Sequence, residues 1–371
     1  MNQKTKTVKM KTVNCATLTL LKLLTLMLMF FQFSYFSISV ANSESIVDSE
    51  SVIDSESIVD SESIVDSENS DLDLTSKFET FYNLDFSSNI KLLHDEFVKY
   101  RIVMVPGLLA DLAKPVNQGN FDIQARWLSQ VLSLKEGTDF IIAKTNTFAS
   151  IEVNSQILRK IILESRKQVI LIGHSKGGLD VLETLIAWPE VRSKIKGVVT
   201  VQSPLKGTPI ADMISKNFFL RQLLWTISTL GRGSLQLITD LKTTNRAKYI
   251  NNNESEINQV INSIPIVNLV GWIHQEPSRK FLNEKFSWQR LKKQTSFYSK
   301  FIYLFTPVLL KLGIYDNDYL VPKYAQKIDG AYFVNVENLD HISLVMDSIH
   351  NRRDKVKSVF ALVLSMLQLQ S

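Results

Sequence analysis

Between Arg101 and Val336 the chain alternates between short apolar runs and longer amphipathic stretches. The apolar runs are Arg101–Pro106, Asp139–Lys144, Gln168–Ile172, Lys196–Val201, Ile264–Trp272 and Ala331–Val336. They are rich in β-branched residues and bounded by polar or glycine positions, the pattern of strands buried on both faces. Ile151–Glu164 has a different period. Ile151, Val153, Ile157, Ile161 and Ile162 fall largely on one side of a helix, and Ser150 stands at its N-cap position. A second helix is expected over Gly178–Trp188, directly after the third run. Strands alternating with helices predict an α/β fold with a mostly parallel sheet and right-handed crossovers.

Residues 208–263 and 274–315 break the alternation around a single strand. Both are rich in Phe, Leu, Trp and Ile and are expected to be mostly helical. Insertions of this length have structure of their own or act as lids. Apolar residues crowd Phe218–Trp225 and Phe297–Phe305, the latter beside Lys292, Lys293 and Lys300. A helical cap that meets a lipid interface is the expectation, and mutual packing as ordinary core is the alternative.

The N-terminal pattern is of another kind. Residues 1–41 carry Lys4, Lys6, Lys9, Lys11 and Lys22 and no acidic residue, then an almost wholly apolar run that ends Ser39-Val40-Ala41. This reads as a secretory signal cleaved before Asn42, placing the protein outside the cytoplasm, secreted or periplasmic. An uncleaved membrane anchor is the alternative, because the apolar run nearly spans a bilayer. Residues 43–66 are four copies of a six-residue unit, Ser-Glu-Ser-Ile-Val-Asp, with Val and Ile exchanged in the second. Its carboxylates repel one another and its Ile-Val pairs bury too little surface to offset chain entropy. Residues 42–74 are therefore expected to be an exposed, disordered linker, and residues 75–371 the folded body.

Charge and cysteine content narrow the chemistry. The formal net charge is +5, and removing the five lysines of residues 1–41 leaves 37 basic against 37 acidic side chains. The linker interval holds eleven acidic and no basic residues, so the body is basic by that amount. The basic residues are scattered and follow no nucleic-acid motif, so no nucleic-acid partner is expected. The only cysteine, Cys15, lies in the presumed signal. That excludes disulfides, thiolate metal sites and a cysteine nucleophile from the mature chain.

Gly173-His174-Ser175-Lys176-Gly177 matches G-x-S-x-G, and it lies between an expected strand and an expected helix. That is the setting of a nucleophile elbow, with Ser175 as nucleophile. Side chains two residues either side would collide with the serine, and Gly178 lets the helix approach the sheet. An oxyanion hole needs two backbone N–H groups aimed at one point. Lys176 supplies one, and Leu108, after the turn Pro106-Gly107, is the candidate for the other. His341 is the candidate base, because it lies after the nucleophile in the loop beyond the last expected strand. His174 belongs to the elbow and is read as structural. His274 and His350 are the alternatives, and His94 precedes the sheet. Asp318, in the acidic turn Asp316-Asn317-Asp318, is the candidate acid, with Asp316 as the alternative.

These motifs resemble the α/β-hydrolase superfamily, particularly bacterial triacylglycerol lipases and related esterases. Gly-His-Ser-Lys-Gly-Gly looks like the family's elbow, and the Pro-Gly-Leu loop looks like its oxyanion loop. Gln202-Ser203-Pro204-Leu205-Lys206-Gly207-Thr208-Pro209 resembles the segment before the lipase lid, with Leu205 where histidine is common. Asn317-Asp318-Tyr319-Leu320-Val321-Pro322 looks like the family's Asn-Asp-Gly-Leu-Val acid turn, with Tyr319 for glycine. This resemblance is what favours Asp318 over Asp316. Some of these lipases carry calcium near the histidine loop, but the matching carboxylate is replaced here by Ser343, so no metal and no cofactor are expected. The resemblance implies an exported ester hydrolase acting on lipid or other apolar acyl esters through Ser175, His341 and Asp318. The same site with another acceptor gives an acyltransferase or thioesterase. A non-catalytic surface-binding protein on this scaffold is the reading from a different class.

Overall fold

A computed structural model describes residues 70–108, 110, 120–218, 220–222, 225, 234–275, 302–303, 305–346, 348 and 353–370. The expected signal, residues 1–41, and most of the linker interval lie outside the described residues. Residues 70–74, within that interval, form a 3-10 turn and an extended bridge. Leu74 is buried, and its N–H donates to the Phe333 carbonyl at 2.8 Å. Among the described residues no helix is long and apolar enough to cross a membrane.

Seven strands form one sheet. They are β1 (Arg101–Val105), β2 (Phe140–Ile142), β3 (Val169–His174), β4 (Ile195–Val201), β5 (Ile266–His274), β6 (Asp316–Asn317) and β7 (Tyr332–Glu337). Each of the six apolar runs of the sequence is a strand, with ends shifted by two residues or fewer. The order is β2-β1-β3-β4-β5, with β7 parallel on the free side of β5. The two-residue β6 pairs antiparallel with the end of β5, Ile273 facing Asn317 and His274 facing Asp316. It carries no apolar run, which is why the hydropathy pattern does not announce it.

Side chains alternate across the strands into two cores. Val103, Val105, Leu171 and Val198 face one layer, and Ile102, Met104, Ile170, Ile172 and Val199 face the other. On the second side lie α1 (Thr75–Tyr82), α2 (Ile90–Phe97) and α3 (Asp122–Gln130), together with the C-terminal helix (Lys355–Leu367). On the first side lie α4 (Ile151–Leu163) and α5 (Lys176–Ala187). The Ser150 hydroxyl accepts from the Val153 N–H at 3.3 Å, capping α4 as its sequence predicts.

Of the expected cap intervals, the described parts are helical. They include α6 (Pro209–Lys216), α7 (Gln236–Leu241), α8 (Thr243–Asn252), α9 (Glu254–Ser263) and α10 (Thr306–Lys311). Helix α9 packs near α5 and leads into β5, so the end of the first interval serves as a crossover of the layered body. Phe301 and the stretch Phe297–Lys300 lie outside the described residues.

Candidate active site

The site lies at the carboxyl ends of the parallel strands, where loops after β1, β3 and β7 converge. Strand β3 ends at His174 and α5 starts at Lys176, so the whole reversal falls on Ser175. Its φ of 53° and ψ of −128° lie outside the regions a side-chain-bearing residue favours. Such a conformation persists only where the surroundings hold it, and close backbone contact does so here. A Cβ on Gly177 would stand 2.2 Å from the Val105 carbonyl oxygen, and one on Gly178 would stand 2.1 Å from Ser203 Oγ. A Cβ on Gly173 would meet the Gly178 Cα at 2.6 Å. Gly173 and Gly177 therefore make room for strand and helix backbone, and Gly178 for the Ser203 side chain, not for the serine itself as the spacing suggests. The glycine that does crowd the serine is Gly107, whose Cβ would stand 2.8 Å from that of Ser175. Gly107 thereby brings Leu108, which lines the cavity, close to Ser175.

His341 follows β7, in a loop that turns at Asn338 with φ 63°. Its main-chain N–H donates to the Asp318 carbonyl at 2.9 Å, which ties the His341 loop to the Asp318 turn. The imidazole Nδ1 lies 2.8 Å from Asp318 Oδ2, and Nε2 lies 2.7 Å from Ser175 Oγ. All three residues are buried. A proton on Nδ1 directed at the carboxylate leaves Nε2 as the lone-pair acceptor of the serine hydroxyl.

The Asp318 carboxylate is fully buried and held on both oxygens. Oδ1 accepts from the Leu320 and Val321 main-chain N–H groups at 3.0 and 2.7 Å. Oδ2 accepts from Gln202 Nε2 at 3.2 Å and Gln326 Nε2 at 3.3 Å, besides the imidazole. Gln326 also spans the Gly271 peptide of β5, accepting from its N–H and donating to its carbonyl, each at 2.8 Å. These donors occupy lone pairs on both oxygens of the buried carboxyl group and fix its orientation. Tyr319 has φ 78°, which explains why the resembling acid turn carries glycine there.

His174 is buried behind the serine. Its Nε2 lies 2.8 Å from the His341 carbonyl, and its Nδ1 lies 3.1 Å from Asn120 Nδ2. Burial, with His341 nearby, pulls its pKa down to about 3, so the ring is neutral and serves as a spacer between the two loops. The Lys176 side chain is also buried. Its ammonium pairs with Asp180 at 2.8 Å, and Asn154 holds the other Asp180 oxygen at 2.8 Å.

The alternative base and acid, His274 and Asp316, pair with each other at 2.6 Å on the surface, with 62% and 40% of their side chains exposed. His94 hydrogen-bonds the Leu132 carbonyl at 2.7 Å, and His350 lies outside the described residues. Ser343 donates to Asp340 at 2.7 Å. Among the described residues no group of three or more His, Cys, Asp or Glu side chains is placed to hold a metal.

A cavity of about 150 Å³ opens over Ser175 and His341. Both cap intervals wall it, the first with Ile210, Ile214, Leu237 and Leu241 and the second with Ile302 and Phe305. The walls are almost wholly apolar, and the polar residues among them are Ser175, His341, His174, Asn120 and Thr208. Sequence reasoning missed Gln202, Gln326 and Asn120. Only Gln202 carries a signal, as a polar residue at the carboxyl end of a Val-rich strand.

No family model and no curated protein matches the chain. Solved structures do. A metagenomic carboxyl esterase, MGS0156, superposes with a TM-score of 0.55 at 18% identity, over 74% of this chain and 77% of that one. The mature form of the Bacillus licheniformis lipase BlEst2 gives 0.46 at 19% identity, over 73% of this chain and 92% of that one. Lipase 1 from Pelosinus fermentans gives 0.42 at 14% identity, over 72% and 99%. At these identities the likeness is one of fold, and the first of the three carries it.

Proposed function

We propose that this chain, which has the α/β-hydrolase fold, is an exported serine hydrolase that cleaves apolar acyl esters. The observation that supports this reading is the unbroken hydrogen-bonded series Ser175–His341–Asp318 beside an apolar cavity. Ser175 Oγ attacks the ester carbonyl while His341 Nε2 takes its proton. Asp318, held by its five donors, orients the imidazole and stabilises its charged form. The main-chain N–H groups of Leu108 and Lys176 receive the developing oxyanion, aided by the positive end of α5. His341 returns the proton to the leaving alcohol. Water then repeats the sequence on the acyl-enzyme and frees the acid.

The cavity supports an apolar acyl group. An apolar space of this size holds a benzene-sized group. Each methylene that enters it contributes about 0.8 kcal/mol, or about fourfold in kcat/KM, until the space is filled. The intervals that wall it act as a cap. Phe218 and Trp225, 62% and 52% exposed, suit contact with a lipid interface. The basic-then-apolar pattern of residues 1–41 supports export, and residues 42–69 serve as a spacer. A series of p-nitrophenyl esters from acetate to octanoate tests this reading. Activity should climb with chain length and then level off, and Ser175→Ala should lose several powers of ten in turnover. More than about a tenth of wild-type turnover in the alanine variant would refute Ser175 as nucleophile.

A further inference from the structure

The stretch after α6 carries a helix face with no role in the chemistry above. Asn217 starts it. Its side-chain oxygen accepts from the Leu220 N–H at 3.0 Å, and its carbonyl accepts from the Arg221 N–H at 3.0 Å. Residues 218, 220–222 and 225 are helical. Leu220 is buried and lines the cavity over Ser175. Phe218, Arg221, Gln222 and Trp225 are spaced i, i+3, i+4 and i+7, so they share one face, and all four are exposed. The outward face of a surface helix is ordinarily polar. This one presents two large aromatic rings, and no other phenylalanine or tryptophan among the described residues is exposed.

Charge indicates what the face meets. Lys216, at the end of α6, and Arg221 are both exposed, and neither pairs with a carboxylate among the described residues. Asp212, the acidic residue of α6, is engaged with Thr243, accepting from its N–H at 3.2 Å and its hydroxyl at 2.6 Å. The sequence carries the same bias. The two cap intervals, 208–263 and 274–315, hold 14 basic against 6 acidic residues, whereas the rest of residues 75–371 holds 23 against 20. About a third of the body thus carries most of its positive surplus. Aromatic rings flanked by cations on the exposed face of a helix suit the boundary of a bilayer with negative headgroups. The rings enter at headgroup level, and each cation close to such a surface strengthens partition about fivefold.

We propose that Lys216, Phe218, Arg221 and Trp225 dock the protein on anionic lipid surfaces. This rests on the reading of the cap as lipid-facing, and its test reads binding instead of turnover. The mature chain is sedimented with vesicles of phosphatidylcholine alone and of phosphatidylcholine with about a third phosphatidylglycerol. Partition to the anionic vesicles should be at least about tenfold stronger, and most of that preference should vanish in about 1 M salt, where charges are screened within about 3 Å. Lys216→Ser/Arg221→Ser should weaken anionic binding by about tenfold or more and leave neutral binding within about twofold. Phe218→Ser/Trp225→Ser should weaken binding to both kinds by about tenfold or more. All four side chains are exposed, so the thermal unfolding midpoint and p-nitrophenyl butyrate hydrolysis should stay near wild type in both variants. Equal partition to the two kinds of vesicle would overturn the proposal, and so would variants that bind as wild type does. Anionic binding that appears only after deletion of residues 42–69 would overturn it too, because the acidic linker would then be the occupant of this face. Turnover of soluble esters without vesicle binding overturns this inference and leaves the hydrolase reading standing. Vesicle binding with no ester turnover and no labelling by a fluorophosphonate overturns the hydrolase reading and upholds the docking face.

Discussion

The buried pair Lys176–Asp180 offers a sharp test of how the elbow is held. Both side chains are 1% exposed, and Nζ lies 2.8 Å from Oδ1. Replacing the lysine by methionine, of similar length, removes the ammonium and leaves a buried carboxylate with Asn154 as its remaining side-chain donor. Breaking a buried pair on one side costs about 3–5 kcal/mol, because the surviving charge has no compensation. The double variant Lys176→Met/Asp180→Leu removes both charges, and Asn154 Nδ2 keeps the Asn146 carbonyl as acceptor at 3.0 Å. At pH 7.5 its stability should lie within about 1 kcal/mol of wild type. Urea unfolding followed by tryptophan fluorescence measures both. pH adds an independent check. Burial pushes the Asp180 pKa up to about 6 from 3.8, so the native state holds this proton more tightly than the unfolded chain does. The resulting contribution is fully present below about pH 3.8 and is lost as pH rises through about 6, about 3 kcal/mol in all. The double variant lacks it. The unfolding free energy of wild type minus that of the double variant should therefore fall between pH 4 and pH 7.5. A single variant that costs under about 1 kcal/mol, or a difference that rises with pH, would refute the reasoning.

Two further predictions concern the acid. Asp318→Asn should lower turnover by about four powers of ten, while Asp316→Asn, which breaks only the exposed contact with His274, should stay within a few-fold of wild type; p-nitrophenyl butyrate hydrolysis measures both, and the reverse order would move the acid to Asp316. Gln202→Met removes a donor from Asp318 Oδ2 and so loosens the hold on the carboxylate that contacts the His341 imidazole. Turnover of p-nitrophenyl butyrate should fall by about tenfold with KM little changed, and an unchanged kcat would show that Gln202 does not position the His341–Asp318 pair.

What the sequence made legible depended on how local each signal was. The six longer strands announce themselves because burial on both faces demands unbroken β-branched runs, and Ser175 announces itself because close backbone packing at the elbow demands glycines in fixed places. His341 was reachable through chain order together with its place in the loop after the last strand, which set it apart from His274 and His350. Asp318 was not: the residues left Asp316 open, and only the resemblance of the acid turn chose between them. The structure gives the physical difference, since Asp316 sits on the surface strand β6 and the chain turns inward at Asp318. Gln202, Gln326 and Asn120 stayed hidden because each acts across a long sequence separation. Gln202 reaches Asp318 over 116 residues and Asn120 reaches His174 over 54. A glutamine that spans a strand peptide looks, in sequence, like any other glutamine.

The central claim is that Ser175 is a nucleophile activated by His341, and a fluorophosphonate probe tests it most directly. The folded protein should take up one probe per chain, and peptide mass mapping should place the adduct on the peptide containing Ser175. Labelling should slow by orders of magnitude in His341→Ala, because the serine then loses its base. Failure of the folded protein to react, or an adduct on a residue other than Ser175, would contradict the claim.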